Sequence, residues 1–177
     1  MALASRIFLL SLLFLFANLW SSFAVSSQKA SQHLGKNLGQ KLSAIESMSD
    51  KDQALVFIAE LSEDSTLTTL NKLAVLASLS KIYRQLGQLD DAIGAAQKAQ
   101  KLANKYDFKK IEADAYKSVG VYAYYKGNNI LALSAYNKAL NYYLSLNEPI
   151  AQANLYNNIA LVHTATGELE SALLSLQ

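Results

Sequence analysis

Glycine returns at a fixed interval of 40 residues, at Gly87, Gly127 and Gly167, and each is followed five positions later by alanine, Ala92, Ala132 or Ala172. Seven positions before each glycine stands a small residue, Ser80, Gly120 or Ala160. In a chain with only 7 glycines this register marks an internal repeat. An internal repeat confines the fold to stacked copies of one supersecondary unit.

The columns around the glycines say what that unit is. Leu79, Val119 and Ile159 precede the small residues, and Leu76, Tyr116 and Tyr156 stand one helical turn earlier. Apolar residues at helical spacing that run into a glycine read as a helix and its stop. After the glycine the pattern resumes with Ala92 and Ile93, Ala132 and Leu133, Ala172 and Leu173. Ala96, Tyr136 and Leu176 follow one turn later, then Ala99 and Ala139. That is a second helix, joined to the first by a tight turn. Glycine supplies the left-handed residue that ends the first helix, and the alanine column lets the second lie close against it. A hairpin of this kind cannot bury its own face, so an all-α stack of antiparallel helical hairpins is expected.

Leu76, Leu79, Ser80, Tyr83, Gly87, Ala92, Ala96 and Ala99 resemble the signature of a tetratricopeptide repeat. Tyr116, Val119, Gly120, Gly127, Ala132, Tyr136 and Ala139 resemble it at the same spacing, as do Tyr156, Ile159, Ala160, Gly167, Ala172 and Leu176. Ala123 and His163 depart from it where the first unit has Tyr83, and the period of 40 exceeds the family's usual 34. The resemblance implies a right-handed superhelical solenoid, with longer helices of the kind found in some bacterial and motor-adaptor members.

Ahead of the repeats, Arg6 precedes an apolar run from Ile7 to Trp20, and Ser22 and Ala24 are the small residues a cleavage site needs. Residues 1–24 therefore read as a secretory signal peptide cut after Ala24, with an uncleaved signal anchor in the membrane as the alternative. The chain is expected to be exported and periplasmic. It has no cysteine, so neither a disulfide nor lipid attachment at a thiol is available. Of the 16 basic residues Arg6 leaves with the leader, and 15 then balance 14 acidic ones. That balance speaks against a nucleic-acid partner.

The remaining organisation follows from punctuation. Residues 25–64 read as a Ser-, Gln- and Lys-rich lead and a degenerate hairpin, with order beginning near Gln40 and Leu42, Ile45, Ala54, Leu55, Phe57, Ile58 and Leu61 as its apolar positions. The first repeat spans 65–106, with a helix from Thr66 to Leu86 capped by Ser65 or Asp64 and a second from Leu89 to Lys105 that carries Asp90 and Asp91 in its first turn. The second repeat spans 107–146 and turns at Gly127, Asn128 and Asn129. The third spans 147–177, opens at the only proline, Pro149, and has an incomplete second helix. Leu173, Leu174 and Leu176 there await partners, which suggests that the chain continues in a longer protein.

Catalytic or metal-binding chemistry finds few reagents. There are two histidines: His33 in the lead, and His163 in the Tyr83 and Ala123 column, where a packed or groove residue is expected. Gly35 and Gly39 follow no strand, and no phosphate-cradling run with Lys and Ser or Thr exists. Glu168 and Glu170 suit the positive end of a helix better than a metal. No enzyme activity, cofactor or metal is expected of this segment.

The resemblance implies a concave groove, lined by the first helix of each hairpin, that holds an extended peptide or a partner helix. Its columns fall on Lys81, Arg84 and Gln85 in the first unit and on Asp114, Lys117, Val121, Tyr124 and Tyr125 in the second. In the third they fall on Asn154, Asn157, Leu161 and Thr164. Asn can both donate to and accept from a peptide backbone, Tyr gives stiff amphipathic contact, and Lys and Arg attract carboxylates. Tyr116, Tyr136 and Tyr156 are expected in the core and Tyr124 and Tyr125 at the groove. Ala77 and Asn154 stand where the family's carboxylate clamp for chaperone tails has lysines, so that ligand is not expected. Two functions remain: an exported scaffold for a protein or peptide, or the periplasmic sensory region of a membrane-bound diguanylate cyclase or histidine kinase whose catalytic part lies beyond Gln177.

Overall fold

A computed structural model describes residues 37–175. The leader and lead up to residue 36, with His33 and Gly35, and also Leu176 and Gln177, lie outside the described residues. The chain divides into two compact units, Met1–Lys41 and Leu42–Gln177. Of the first, residues 37–41 are described and are helical. The second begins in helix through residue 47 and continues as α1 (Lys51–Ser62), α2 (Thr69–Gln85), α3 (Leu89–Lys105), α4 (Lys109–Tyr125), α5 (Asn129–Ser145), α6 (Pro149–Ala165) and α7 (Leu169–Leu174). No strand occurs among the described residues. Each helix packs on the next, which makes the unit an all-α solenoid of antiparallel hairpins.

The turns recur twice as often as the glycines. Positive φ angles stand at Gly87 (75°), Asp107 (56°), Gly127 (82°), Asn147 (54°) and Gly167 (80°), one every 20 residues. At each turn the amide of the left-handed residue donates three residues back, and the next amide donates five back. Gly127 N donates to Tyr124 O (2.9 Å) and Asn128 N to Ala123 O (2.8 Å), as Asn147 N does to Leu144 O (3.1 Å) and Glu148 N to Tyr143 O (3.0 Å). Both bonds together form the Schellman ending, which returns the last carbonyls of one helix to donors before the next begins. Within hairpins glycine takes the left-handed place, and between hairpins Asp107 and Asn147 do, the residues that tolerate it best after glycine. Asn147→Ala should therefore cost about 1–2 kcal/mol, while Asn147→Gly should stay within about 0.5 kcal/mol of the parent. Urea denaturation followed by circular dichroism measures both.

The alanine column does what its size suggests: Ala92 and Ala132 are completely buried, and Ala139 with them. Around them α3, α4, α5 and α6 share one core that includes Val119, Tyr122, Tyr136, Tyr143, Leu155, Ile159 and Val162. Tyr136 lies flat on Gly120, so closely that a Cβ built on that glycine would stand 2.5 Å from the ring carbons Cδ1 and Cε1. The first unit shows the opposite division of space, with Ser80 in the Gly120 column and Ala96 in the Tyr136 column.

Two buried phenols give the core a pH dependence. Burial pushes the Tyr136 hydroxyl far above its ordinary range, and it does the same to Tyr143, helped by the hydrogen bond to Asp114. In the unfolded chain these groups ionise near pH ~10. Above that pH the unfolded state releases protons that the folded state retains, so stability is full below about pH 10 and falls as pH rises beyond it. Tyr136→Phe and Tyr143→Phe should each flatten this alkaline decline, measured as the unfolding midpoint in urea across pH ~9 to 11.5.

Several sequence expectations need correction. The first helix of the first repeat begins at Thr69, not Thr66, because Thr68 is its cap and accepts from Asn71 N at 3.3 Å. Asp64 turns instead onto Thr66, taking its amide at 2.8 Å and its hydroxyl at 2.6 Å. Residues 37–39 are already helical, ahead of Gln40. Of the apolar positions expected in α1, Ala54 and Ile58 are buried as expected, whereas Phe57 is 42% exposed. Of the three tyrosines expected inside, Tyr136 is buried, Tyr116 is partly buried and stacks on Tyr142 at 6.1 Å, and Tyr156 is 38% exposed. Glu168 stands at the start of α7 with Glu170 in its first turn, as expected, and its carboxylate also meets His163 Nδ1 at 2.9 Å.

Candidate functional site

The packing of α2–α6 decides which face is hollow. Backbones of the first helices approach one another, α2 beside α4 and α4 beside α6, whereas α3 and α5 nowhere come within 8 Å between Cα atoms. Helices closer on one side of a stack than on the other bend it towards the closer side. The face of α2, α4 and α6 is thus the inner one.

The groove positions read from the sequence all lie on these three helices. On α6 Asn154, Asn157, Leu161 and Thr164 are exposed, with Leu161 53% accessible. The Thr164 hydroxyl is turned onto its own helix at Ala160 O, 2.9 Å. On α4 Tyr125 is exposed and Tyr124 half-buried, their rings 6.1 Å apart and tilted by 53°. Val121 and Tyr124 are partly committed to the core beneath. On α2 Gln85 is exposed and Arg84 half-buried. Lys81 is exposed but engaged, its ammonium 3.2 Å from the Glu46 carboxylate, which also accepts from the Ser78 hydroxyl at 2.5 Å.

Asp114 and Lys117 belong to a small charged cluster that the sequence columns do not reveal. Tyr143 of α5 is fully buried, yet its hydroxyl reaches through to donate to Asp114 Oδ1 at 2.6 Å. Lys117 Nζ stands 3.4 Å from the same oxygen and 5.9 Å from the Tyr143 ring centroid. Lys110, whose ammonium donates to Glu148 at 2.6 Å, flanks that ring at 6.0 Å. A carboxylate held from below by a buried phenol keeps its position without help from solvent. The only sequence signal for this arrangement is the exchange of Ala103 for Tyr143 one repeat later, which shows size but not the direction of the hydroxyl.

Beside Asp114 the inner face opens into a narrow crevice of about 70 Å³ between α2 and α4. Leu73, Ala77 and Ser80 form one wall and Ile111, Asp114 and Ser118 the other. Its volume suits one small aliphatic side chain.

Among the described residues no three His, Cys, Asp or Glu side chains gather as a metal site, and no helix is long and apolar enough to cross a membrane. His163, 18% exposed at its side chain, is held by Glu168 at the end of α6.

No protein-family model matches the chain, and a search of curated proteins gives no match. A solved structure, the crystal structure of BtubC (BKLC) from P. vanneervenii, is similar with a TM-score of 0.70 and 15% sequence identity, covering 82% of this chain and 60% of that one. The chain thus spans less than two thirds of that neighbour. At this identity the likeness is one of fold, and it agrees with the all-α solenoid.

Proposed function

We propose that the chain is an exported, noncatalytic scaffold of the tetratricopeptide kind that holds an extended peptide or a partner helix along α2, α4 and α6. The observation that supports this reading is the inward bend of the stack onto a face where Asn154, Asn157, Leu161 and Tyr125 remain exposed. Two asparagines three residues apart can bond an extended backbone in both senses. Tyr125 and Leu161 offer apolar contact, and the crevice by Asp114 accepts one aliphatic anchor. Polar groups that orient a ligand around a few apolar anchors are the usual composition of a peptide-binding face.

Selection of peptides from a random library displayed on phage provides the test. Peptides enriched on the wild-type chain should lose about tenfold or more in affinity for the triple variant Asn154→Ala/Asn157→Ala/Leu161→Ala. They should also lose affinity for Ala77→Leu, which fills the crevice. Equal binding to the wild type and both variants would refute the groove assignment.

A further inference from the structure

The separation of α3 from α5 leaves a second hollow, on the opposite side of the stack, that the groove does not use. It is a cleft of about 250 Å³ with Tyr116 and Val119 of α4 as its floor and Leu131 of α5 on one wall. Lys101 from α3 and Lys138 from α5 face it from the two sides, with Gln100 and Ser134 between them. We propose that this cleft binds a small organic carboxylate with an apolar body, the carboxylate between Lys101 and Lys138 and the body on Tyr116, Val119 and Leu131.

Charge selects the anion. No acidic side chain lines the cleft, and among the described residues no carboxylate lies within 4.0 Å of either lysine. Lys138 Nζ stands instead 5.3 Å from the Tyr116 ring centroid. Helix α5 carries no acidic residue, and Lys98 and Lys105 extend the positive stripe of α3 at helical spacing from Lys101. Glu112 of α4 is buried, and its carboxylate accepts from Gln100 Nε2 at 2.6 Å and Asn104 Nδ2 at 3.2 Å. Gln100 lines the cleft and Asn104 stands one turn further along α3, so both amides donate to the Glu112 carboxylate at the edge of the site, where it is covered and not presented to a ligand.

The floor selects the apolar body. Val119 is buried and Tyr116 half-buried, and burial, followed by the charge of Glu112, raises the Tyr116 phenol above its ordinary pKa. A fully hydrated anion such as phosphate would gain nothing from that surface, whereas an aryl or short alkyl chain would bury against it. The volume lies just under the ~300 Å³ at which ordinary small-molecule pockets begin, so the ligand is small.

The probe is 4-phenylbutyrate, titrated into the purified full chain by calorimetry and saturation-transfer NMR beside the neutral 4-phenylbutanamide and the cationic 4-phenylbutylamine. Saturable binding with a dissociation constant at or below about 1 mM is expected, with the amide about tenfold weaker or more and the amine weaker still. Lys101→Gln/Lys138→Gln should reproduce the loss seen with the amide, and Ser134→Trp should abolish binding with the melting temperature unchanged. The groove triple variant should bind as the wild type does. Absence of saturation at millimolar concentration, equal affinity for acid and amide, or binding that survives both Ser134→Trp and the lysine changes would each overturn the proposal.

Discussion

Gly120→Ala is expected to destabilise the fold by about 1–2 kcal/mol, and Gly120→Val by about 3 kcal/mol or more. The new Cβ would enter at 2.5 Å from two ring carbons of Tyr136, a side chain 2% exposed that meets it with its ring and not with a flexible end. Overpacking of this kind costs about 1–3 kcal/mol, and the better helix propensity of alanine returns up to ~1 kcal/mol. The helical Gly94 provides the control, since nothing lies within 4 Å of a Cβ there. Gly94→Ala should stabilise by up to ~1 kcal/mol, so one substitution takes opposite signs at two helical glycines. In the double variant Gly120→Ala/Tyr136→Ala, which restores the small pairing of Ser80 with Ala96, the Gly120 penalty should vanish from the urea midpoint. An unchanged midpoint for Gly120→Val would show that the two helices do not meet there.

Tyr143→Ala should cost about 3–5 kcal/mol, the range for deleting a buried aromatic ring. Tyr143 is wholly enclosed between α4 and α6, and its loss opens a cavity under the inner face. Tyr143→Phe separates the ring from its hydroxyl. It removes one hydrogen bond to a carboxylate, worth about 1.5–3 kcal/mol when the group left behind is dry. Asp114 is 48% exposed at its side chain and can recover water, so about 1 kcal/mol is expected. The phenylalanine variant also releases Asp114 from its fixed position. Peptides selected on the wild-type groove should bind this variant more weakly while its circular dichroism spectrum stays the same.

Local chemistry explains which parts of this architecture can be read in the sequence. Gly87, Gly127 and Gly167 end helices through a conformation that one residue controls, and Leu89 to Lys105 is bounded by its own turns, so α3 starts and stops where expected. The halved period was also present, in Asp107 and Asn147, but attention to glycine alone passes over residues that adopt the left-handed conformation at modest cost. Ser65 and Asp64 are good caps and on their own predict a helix from Thr66. Thr68 is an equally good one, and Asp64 is used in a tighter turn with Thr66. Glu112 gave no signal, although it lies in the 20-residue register of Ala92 and Ala132 and is buried as they are.

The inner face illustrates the same boundary. Columns of residues assign Asn154, Asn157, Leu161 and Thr164 to one side of a helix, since helical spacing fixes direction along a single element. They do not say that Lys81 is already paired with Glu46, or that Tyr143 steadies Asp114 from inside the core. Partners 29 and 35 residues away in sequence are chosen by how one hairpin settles on the next.

The sequence by itself determined the repeated helical hairpins, the glycine turns and the repeated small positions, because each depends on a residue's own backbone preference or on its neighbours within a turn or two. Tertiary structure alone decided that Tyr136 lies on Gly120, that α2, α4 and α6 close together while α3 and α5 stand apart, and that lysines line the resulting cleft. Those outcomes depend on how volumes from different repeats share one core, and a column of aligned residues carries no information about that sharing.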